Sequence, residues 1–413
     1  MSVETSPYHV RSETAPLRQV IVHTPGEEMA LVAPDDKDQL LFDDILYLDR
    51  AREEHQIFCR LFECIVGQPD AVLQIGTLVA ESFALEAARE YFIELLIARS
   101  AREQNYAGFR RELQSLSPAE LTRFALTGQA PFPIHAGPLP NLLFTRDLAA
   151  TVGTHVVLNQ AARVARRRES LIIDTVLTHH PRFAAHAGQL LRLPPDVSFE
   201  GGDLLVVSDE LVLIGQSERT SLGGVMAVAR QLFAHTAVKK VVMVGLPHQR
   251  SCMHLDTVFT FVDGQTCVQF PPIIEHEVHN VFEFSAGDDP DRFTTRAWPS
   301  LKLALEALLG HAMHFIPCGG SDRLLQQREQ WTDGANLFAV APGVVIAYER
   351  NQRTFAALRD LGFHVVDAEN FLNYYGGGGL PEGQRVAIKL IGHELSRGRG
   401  GPRCMTLPLK RQG

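Results

Sequence analysis

The chain has 413 residues, of which 45% are hydrophobic and 21% are charged. This composition supports a large buried core and argues against a disordered chain. The net charge of −9 argues against nucleic acid as the main partner, because phosphate binding requires a basic surface. No uninterrupted apolar stretch approaches the ~18 residues of a membrane span, and the N-terminus shows no apolar signal segment. We therefore expect a soluble protein without nucleic-acid or membrane partners.

The cysteines indicate a compartment. They are scattered along a long chain, without the paired Cys or Cys/His spacings of a zinc site. The six are Cys59, Cys64, Cys252, Cys267, Cys318 and Cys404. Unpaired thiols in a reducing environment are the simplest interpretation, so we expect a cytoplasmic protein with no bound metal.

The first predicted elements are a strand and a helix. Leu17–Thr24 reads as a strand that stops at a Pro-Gly pair, and apolar residues recur at helical spacing from Leu48 to Phe62. From about residue 70 to 129 the chain is rich in Ala, Leu, Glu and Arg and lacks β-branched runs, which predicts several short helices, one capped by Ser117. We treat 70–129 as an inserted helical domain, with 1–69 and 130–413 forming the main domain.

Strands and helices alternate after residue 130. Hairpins are predicted at Asp263-Gly264 and Pro342-Gly343. The unit of hairpin, helix and strand recurs without an obvious sequence repeat, which favours one α/β domain built from repeated ββαβ modules. A doubly wound sheet is the structural alternative, although no G-x-G-x-x-G motif opens a helix after a strand.

Cys404 lies in a loop suited to a reactive thiol. The surrounding run, SRGRGGPRCM at residues 396–405, contains glycines and arginines on the N-terminal side of the cysteine. Glycine lets a backbone approach a ligand closely, and arginine lowers the pKa of a thiol and binds carboxylates. The alternative is a small buried hydrophobic residue. We favour a nucleophile.

Further segments place charged groups beside glycine or at the ends of apolar runs. They contain Asp147, the pair Glu200 and Asp203, Arg219, and the pair His254 and Asp256. Each has a structural alternative as a cap, turn, strand end or buried polar residue, and their joint occurrence favours a site. Because residues two apart on a strand face the same side, we expect His254 and Asp256 to point together. The runs at Trp331–Gly334 and Asp43-Asp44 are interpreted first as turn and packing elements, and second as lining a site.

This set of residue types indicates a substrate class. A thiol, a histidine and several acids suit attack on an electron-poor carbon. Multiple carboxylates near one thiol indicate a cationic substrate, and a planar guanidinium matches paired carboxylates. Arginines in the same site indicate that the substrate also carries a carboxylate. A molecule with both groups is arginine.

From about Leu17 to Leu409 the chain resembles bacterial arginine deiminases, within the guanidine-modifying superfamily of amidinotransferases and deiminases. The resemblance is carried, in order, by LLFDD at 40–44, the run from Asn141 to Asp147, EGGD at 200–203, SERTS at 217–221, MHLDTVF at 253–259, REQW at 328–331 and SRGRGGPRCM at 396–405. It implies a five-fold pseudosymmetric α/β propeller of ββαβ modules, with a helical insertion and a central site. It also implies hydrolysis of L-arginine to L-citrulline and ammonia.

The resemblance also implies roles for residues. Cys404 would be the nucleophile and His254 the general acid/base. Asp147 and Asp256 would grip the guanidinium, and Glu200 would hold either that group or His254. Arg219 and Arg399 would bind the α-carboxylate. The residues lining the substrate would be Asn141, Phe144 and Leu41. Arg397 and Arg403 are not needed in this scheme.

Neither a metal nor an organic cofactor is implied, and the expected partners are L-arginine, water and further copies of the chain in a homo-oligomer, a dimer or tetramer. Two alternatives within the superfamily are agmatine deiminase, whose substrate lacks the carboxylate, and an amidinotransferase, which passes the intermediate to an amine. A third alternative is a catalytically inactive arginine-binding protein.

Overall fold

A computed structural model describes residues 6–68, 70–99, 106–134, 136–276, 280–287, 292–376 and 383–412. The strands are β1 (Leu17–Val22), β2 (Val72–Gln74), β3 (Ala149–Val152), β4 (His155–Leu158), β5 (Leu190–Leu191), β6 (Leu204–Ser208), β7 (Leu211–Gln216), β8 (Lys240–Gly245), β9 (Phe259–Phe261), β10 (Thr266–Gln269), β11 (Val281–Ala286), β12 (Phe293–Trp298), β13 (His314–Pro317), β14 (Phe338–Ala341), β15 (Val344–Tyr348), β16 (His364–Asp367), β17 (Val386–Leu390) and β18 (Leu407–Arg411). The α-helices are α1 (Glu27–Ala30), α2 (Leu48–Val66), α3 (Ile75–Phe83), α4 (Glu86–Arg99), α5 (Tyr106–Ser115), α6 (Pro118–Thr127), α7 (Arg167–His179), α8 (Leu222–His235), α9 (Pro271–Ile274), α10 (Leu301–Leu309), α11 (Arg323–Trp331), α12 (Gln352–Asp360) and α13 (Ala368–Tyr375).

Within the described residues the strands form five sheets, with the orders β18-β1-β2, β3-β4-β5, β12-β11-β8-β7-β6, β13-β10-β9 and β14-β15-β17-β16. Each contains an antiparallel pair followed by a parallel strand, as in β3, β4 and β5 with α7 between the last two. The predicted ββαβ module is therefore the repeating unit. In the first sheet the C-terminal strand β18 pairs with β1, so the two ends of the chain share one module.

The sheets are joined into a ring by five buried apolar clusters. One cluster packs the first sheet against the second, and others connect the second to the third, the third to the fourth and the fourth to the fifth. The last cluster joins the fifth sheet back to the first. Because every sheet buries apolar side chains against two neighbours, the arrangement closes on itself. The fold is the expected five-fold pseudosymmetric α/β propeller.

The segment between β1 and β3 contains the predicted short helices α3 to α6. Ser117 caps α6 through a reciprocal capping box with Glu120, as its sequence predicts. One local prediction is wrong, because Val72–Gln74 is a short strand paired in parallel with β1 and belongs to the first sheet. The domain boundary predicted at residue 69 lies outside the described residues, and the division into two domains stays a prediction.

The propeller brings turns from all five modules towards one another. The first strand of each module is preceded by a short polar turn: Asp147 stands two residues before β3, Asp203 one before β6, Asp256 three before β9, Asn336 two before β14 and Cys404 three before β18. Several of these turns contact one another directly. Residues far apart in sequence therefore occupy equivalent positions around one centre.

None of the described helices has the length and apolar character needed to cross a membrane. None of the six cysteines, all of which lie within the described parts of the chain, forms a disulfide bond.

Closure of the ring depends on β18. Leu409 on this strand is fully buried in the cluster between the first two sheets. We expect Leu409→Ala to destabilise the fold by about 2 to 5 kcal/mol, because it leaves a cavity in a packed core. Leu324→Ala, at a side chain that is 64% exposed, should change stability by less than about 0.5 kcal/mol. Urea-induced unfolding followed by circular dichroism measures both, and equal midpoints for the two variants would contradict this account of closure.

Candidate active site

A narrow cavity opens at the centre of the ring. Its lining residues are Leu41, Asn141, Phe144, Asp147, Arg166, Arg219, Arg250, Met253, His254, Thr257, Gly398, Arg399 and Cys404. Glu200 and Asp256 lie directly behind this lining, in contact with His254 and Cys404 respectively. The ten residues to which the family resemblance gives a catalytic or substrate-binding role therefore all line this cavity or lie directly behind it.

His254 lies between two carboxylates. Its Nε2 is 2.9 Å from Glu200 Oε2, and its Nδ1 is 3.6 Å from Asp147 Oδ1. Although burial disfavours the charged ring, Asp147 and Glu200 raise the pKa of His254 to about 9. With an acceptor beside each ring nitrogen, the imidazolium is the favoured form at neutral pH.

Glu200 is the stronger acid of this group. Burial disfavours its charge, but the adjacent Arg166 and His254 lower the pKa of Glu200 to about 2. Gly202 allows the close packing here, because a Cβ atom at that position would lie 2.8 Å from both Asp147 Oδ1 and His254 Nδ1. The site therefore keeps a charged carboxylate against a charged imidazolium.

The backbone between His254 and Asp256 is not a strand. His254 is extended (φ −134°, ψ 159°) and is followed by a 3-10 helix over Leu255–Thr257. The predicted reason for a shared orientation, alternation along a strand, is therefore wrong. Both side chains still reach the centre, because the turn sends His254 towards Glu200 and Asp256 towards Cys404.

Cys404 is held by its backbone and faces a carboxylate. Its N–H donates to Asn336 Oδ1 (3.0 Å), and its carbonyl accepts from Arg146 N–H (3.0 Å). The side-chain amide of Asn336 donates to the Asp256 carbonyl at 2.9 Å. Cys404 Sγ lies 3.8 Å and 3.9 Å from the two Asp256 oxygens. Asn336 thus fixes the nucleophile loop relative to the turn that carries Asp256.

The thiol of Cys404 is neutral in the free site. Burial raises its pKa well above the ordinary range, and the charges of Asp256 and Asp147 add to the effect, while Arg403 opposes it. The sequence places both acids, which raise the thiol pKa, and arginines, which lower it, near Cys404. In the structure the effect of the acids is the larger. A cation placed against the sulfur would reverse it.

Arg166 is a site residue that the sequence analysis missed. Its guanidinium is 2.6 Å from Asp147 Oδ2, 3.2 Å from Glu200 Oε2 and 2.8 Å from Glu169 Oε2. It lies immediately before α7 in a run that also contains Arg163, Arg167 and Arg168. The only available signal was this basic run, and nothing in the sequence says which of its members faces inward.

Arg219 and Arg399 also line the cavity, and they differ in their contacts. Arg219 is 2% exposed, and its Nε and Nη1 atoms make no hydrogen bond to the described residues, although they lie 3.5 Å from Glu218 Oε1 and 3.8 Å from Glu200 Oε1, respectively. The guanidinium of Arg399 instead stacks on the Trp331 ring, 3.6 Å from its centroid, and donates to the Trp331 carbonyl. Buried, unsatisfied donors such as those of Arg219 favour an anionic ligand.

The remaining predicted residues shape the entrance. Asn141 donates from Nδ2 to the Leu40 carbonyl at 2.6 Å, which ties it to the loop that carries Leu41. Leu41 itself has a positive φ of 57°. Arg250 donates to the Leu41 carbonyl and to Asp43, at 3.1 Å and 3.0 Å. Asp43 and Trp331 therefore lie at the border of the site rather than in remote turns.

The donor set suits an organic cation better than a metal ion. Asp147, Glu200 and His254 place possible ligand atoms within 4.8 Å of one another. Arg166, however, already donates to both carboxylates, and His254 shares an oxygen of Glu200 with it. These acids are arranged around a guanidinium, whose planar fork they match.

Comparison with known proteins supports this chemistry. The sequence profile of the family described as arginine deiminase matches residues 38–411. Curated arginine deiminases from Bacillus cytotoxicus and Listeria welshimeri serovar 6b are each 36% identical to this chain, covering 98% of it and 99% and 98% of their own lengths. The propeller and its thiol site define a guanidine-modifying enzyme. The chain belongs to the arginine deiminase family, which places it among hydrolases of the guanidino C–N bond of arginine.

Solved structures agree on the fold. The amidinotransferase SxtG from Microseira wollei is similar with a TM-score of 0.58 at 13% identity, over 98% of both chains. A dimethylarginine dimethylaminohydrolase variant, solved as an adduct with S-methyl-L-thiocitrulline, has a TM-score of 0.50 at 16% identity, over 95% of this chain and 99% of the other. At these identities the likeness concerns the propeller alone.

The charge on His254 can be tested directly. Because Glu200 raises the pKa of His254 towards about 9, Glu200→Gln should lower it by at least about one unit. NMR titration of the histidine ring signals measures this shift. His393, whose side chain is 67% exposed, provides an internal control for the ring signals. An unchanged His254 pKa in a folded variant would contradict the proposed electrostatic coupling.

Proposed function

We propose that the chain hydrolyses L-arginine to L-citrulline and ammonia at this cavity, with Cys404 as the nucleophile and His254 as the general acid/base. The observation that carries the proposal is the placement of Cys404, Asp147 and the charged His254 ring around one cavity, with Asp256 and Glu200 directly behind them. A thiol surrounded by acids suits a cationic electrophile and not an acyl group.

The guanidinium of arginine would lie between Asp147 and Asp256. Asp147 Oδ1 has no hydrogen-bond partner among the described residues, and Asp256 faces the sulfur of Cys404. Paired carboxylates hold the planar cation in one orientation and keep it protonated. The guanidinium carbon is then electrophilic and faces the thiol.

The opposite end of the substrate would meet the arginines. The unsatisfied donors of Arg219 favour the α-carboxylate, with Arg166 and Arg399 also lining the cavity. Arg399 would leave its stacked position on Trp331 to reach the carboxylate. Asn141, Phe144 and Leu41 would enclose the aliphatic stem. This arrangement supports L-arginine over agmatine, which has no carboxylate.

In the first half of the reaction, the bound cation favours release of the Cys404 proton to solvent, and the resulting thiolate attacks the guanidinium carbon. A C–S bond forms. The C–N bond then breaks as His254 transfers its proton to the departing ammonia, leaving a thiouronium-type intermediate on sulfur. The high pKa of His254, about 9, keeps this proton available at neutral pH.

In the second half, neutral His254 accepts a proton from a water molecule that attacks the same carbon. The C–S bond breaks, the proton of the newly added hydroxyl passes to the departing sulfur, and L-citrulline leaves with Cys404 again a neutral thiol. Glu200 would orient the ring and stabilise its charge, since it remains within 2.9 Å of Nε2. Every group that this sequence of steps requires is present in the chain, so the proposal includes neither a metal nor an organic cofactor.

The cellular setting follows from the same proposal. None of the six cysteines forms a disulfide bond, which supports a reducing compartment, and we propose a cytoplasmic enzyme of arginine catabolism. We also propose that it is a homo-oligomer, a dimer or tetramer, as the family resemblance implies.

The nucleophile assignment predicts a large loss on substitution. Cys404→Ser should reduce citrulline and ammonia release from L-arginine by at least about a thousandfold, because the hydroxyl is a far weaker nucleophile. Cys64→Ser, at another unpaired thiol, should retain wild-type turnover. Near-normal turnover in Cys404→Ser would refute the assignment. Amine acceptors added to the wild type test the alternative of amidino transfer, which would yield amidino products in place of free citrulline.

Carboxylate recognition predicts a difference between two substrates. Arg219→Gln should raise the KM for L-arginine by about tenfold to a hundredfold, since a charge-assisted contact is lost. The inhibition constant of agmatine should change far less. Arg397→Gln, at an arginine paired with Asp44 and Glu394 outside the cavity, is the matched control and should leave both constants unchanged. Equal losses for arginine and agmatine would rule out Arg219 as a carboxylate ligand.

A further inference from the structure

The N-terminal segment contributes a buried acid close to the site. Glu13 precedes β1 and is 8% exposed. Its backbone N–H donates to the Val206 carbonyl at 2.7 Å, and its Oε1 accepts from Val206 N–H at 3.3 Å. A carboxylate fixed in this way to β6 is not a surface charge. Its burial calls for a partner.

That partner is Arg403, the residue before the nucleophile. Arg403 Nε is 3.0 Å from Glu13 Oε2, and Nη2 is 2.9 Å from Glu13 Oε1. The third nitrogen of the same guanidinium, Nη1, donates to Asp256 Oδ2 at 2.7 Å. Arg403 and Asp256 are 1% and 0% exposed. Two buried carboxylates thus share one buried guanidinium, and the second of them faces Cys404.

Because of the charges that surround it, Glu13 also affects the electrostatic potential at the active site. Around Glu13 lie three buried arginines, Arg403, Arg146 and Arg411, which together lower the pKa of Glu13 to about 2 against the effect of burial. The charged or titratable groups that face Asp256 are Arg403, Arg146, His254, Asp147, Asp333 and Cys404. Glu13 therefore offsets positive charge immediately behind the position proposed for a cationic substrate.

We propose that Glu13 is a positioning residue of the active site, which acts through Arg403 to orient Asp256 and to keep the guanidinium subsite negative. This proposal rests on the proposed function of Asp256 and Cys404. It also gives Arg403 a role as the bridge between the N-terminal segment and the site. Removal of the Glu13 charge should weaken binding of the substrate cation and favour the Cys404 thiolate, because both effects follow from one added positive charge.

Kinetics provide the first test. Glu13→Gln keeps the side-chain size and removes the charge. We expect the KM for L-arginine to rise by about tenfold while kcat changes by less than about threefold, since the reacting groups themselves are untouched. Glu13→Asp, which keeps the charge, should recover most of the lost KM. If Glu13 acted through packing alone, the KM would not depend on whether the substituted side chain carries a charge.

The thiol provides the second test, without any substrate. Alkylation of Cys404 by iodoacetamide, followed by peptide mass spectrometry over a range of pH, reports its pKa in the free protein. In Glu13→Gln this pKa should fall by about one unit. Asp209→Asn removes the same charge from an exposed partner of Arg11 in the N-terminal segment. It is the matched control and should shift neither the KM nor the thiol pKa.

A second variant covers the case in which Glu13→Gln does not fold. The double variant Glu13→Gln, Arg403→Gln removes both members of the Glu13–Arg403 pair, so no guanidinium is left without Glu13, although Asp256 loses its contact with Arg403. Because Arg403 lowers the pKa of Cys404, the thiol pKa should then rise instead of falling.

The possible outcomes distinguish a failure of the proposed function from a failure of the role proposed for Glu13. Wild-type protein that releases no citrulline from arginine would refute the proposed function, and the alkylation measurement would still test the charge coupling. Active wild-type protein with an unchanged KM and an unchanged thiol pKa in Glu13→Gln would refute the role of Glu13. An unchanged or lowered thiol pKa in the double variant would also refute the role of Glu13.

Discussion

The constraint on which the site depends is the compensation of buried carboxylates. Several acids lie at the centre of the propeller with almost no solvent, and an isolated buried charge is unstable. Two arginines provide the compensation. Arg166 contacts Asp147, Glu169 and Glu200, while Arg403 contacts Asp256 and Glu13. Each arginine holds at least two acids, so carboxylate charge remains on the cavity side for a further cation. A substrate guanidinium completes this pattern.

The same compensation controls when the thiol becomes reactive. In the free site, burial and nearby acids keep Cys404 protonated, and the acids hold His254 as an imidazolium against the effect of burial. A thiolate exposed at all times would be open to oxidation and to unrelated electrophiles. In the proposed mechanism the charge of an entering guanidinium lies against the sulfur and opposes the effects of burial and of the acids on the thiol pKa. Reactivity is thereby coupled to the presence of the correct cation, and the proton on His254 is already in place for the leaving group.

Much of the architecture was accessible from sequence because its signals are local. The Asp263-Gly264 hairpin and the Ser117 capping box follow from neighbouring residues alone. The strand Val72–Gln74 was missed because only pairing with β1 defines it. Arg166 was missed because its inward direction depends on where α7 begins within a run of arginines. Glu13 carries no sequence pattern at all, and its importance arises from the return of the C-terminal loop beside it. The acids and Cys404 were recognisable because their motifs are long and ordered.

Ring closure connects stability with chemistry. Cys404 stands three residues before β18, the strand that pairs with β1 and closes the propeller. Its backbone is held on one side by Arg146 from the turn before β3 and on the other by Asn336 from the turn before β14. Neither contact is local in sequence, so the nucleophile is positioned only when the last strand has docked between its neighbours. Opening of this seam would separate Cys404 from Asp256 and would expose Leu407 and Leu409, which β18 buries in the cluster between the first two sheets. The loop that carries the nucleophile therefore reaches its final position only when the ring of five sheets has closed.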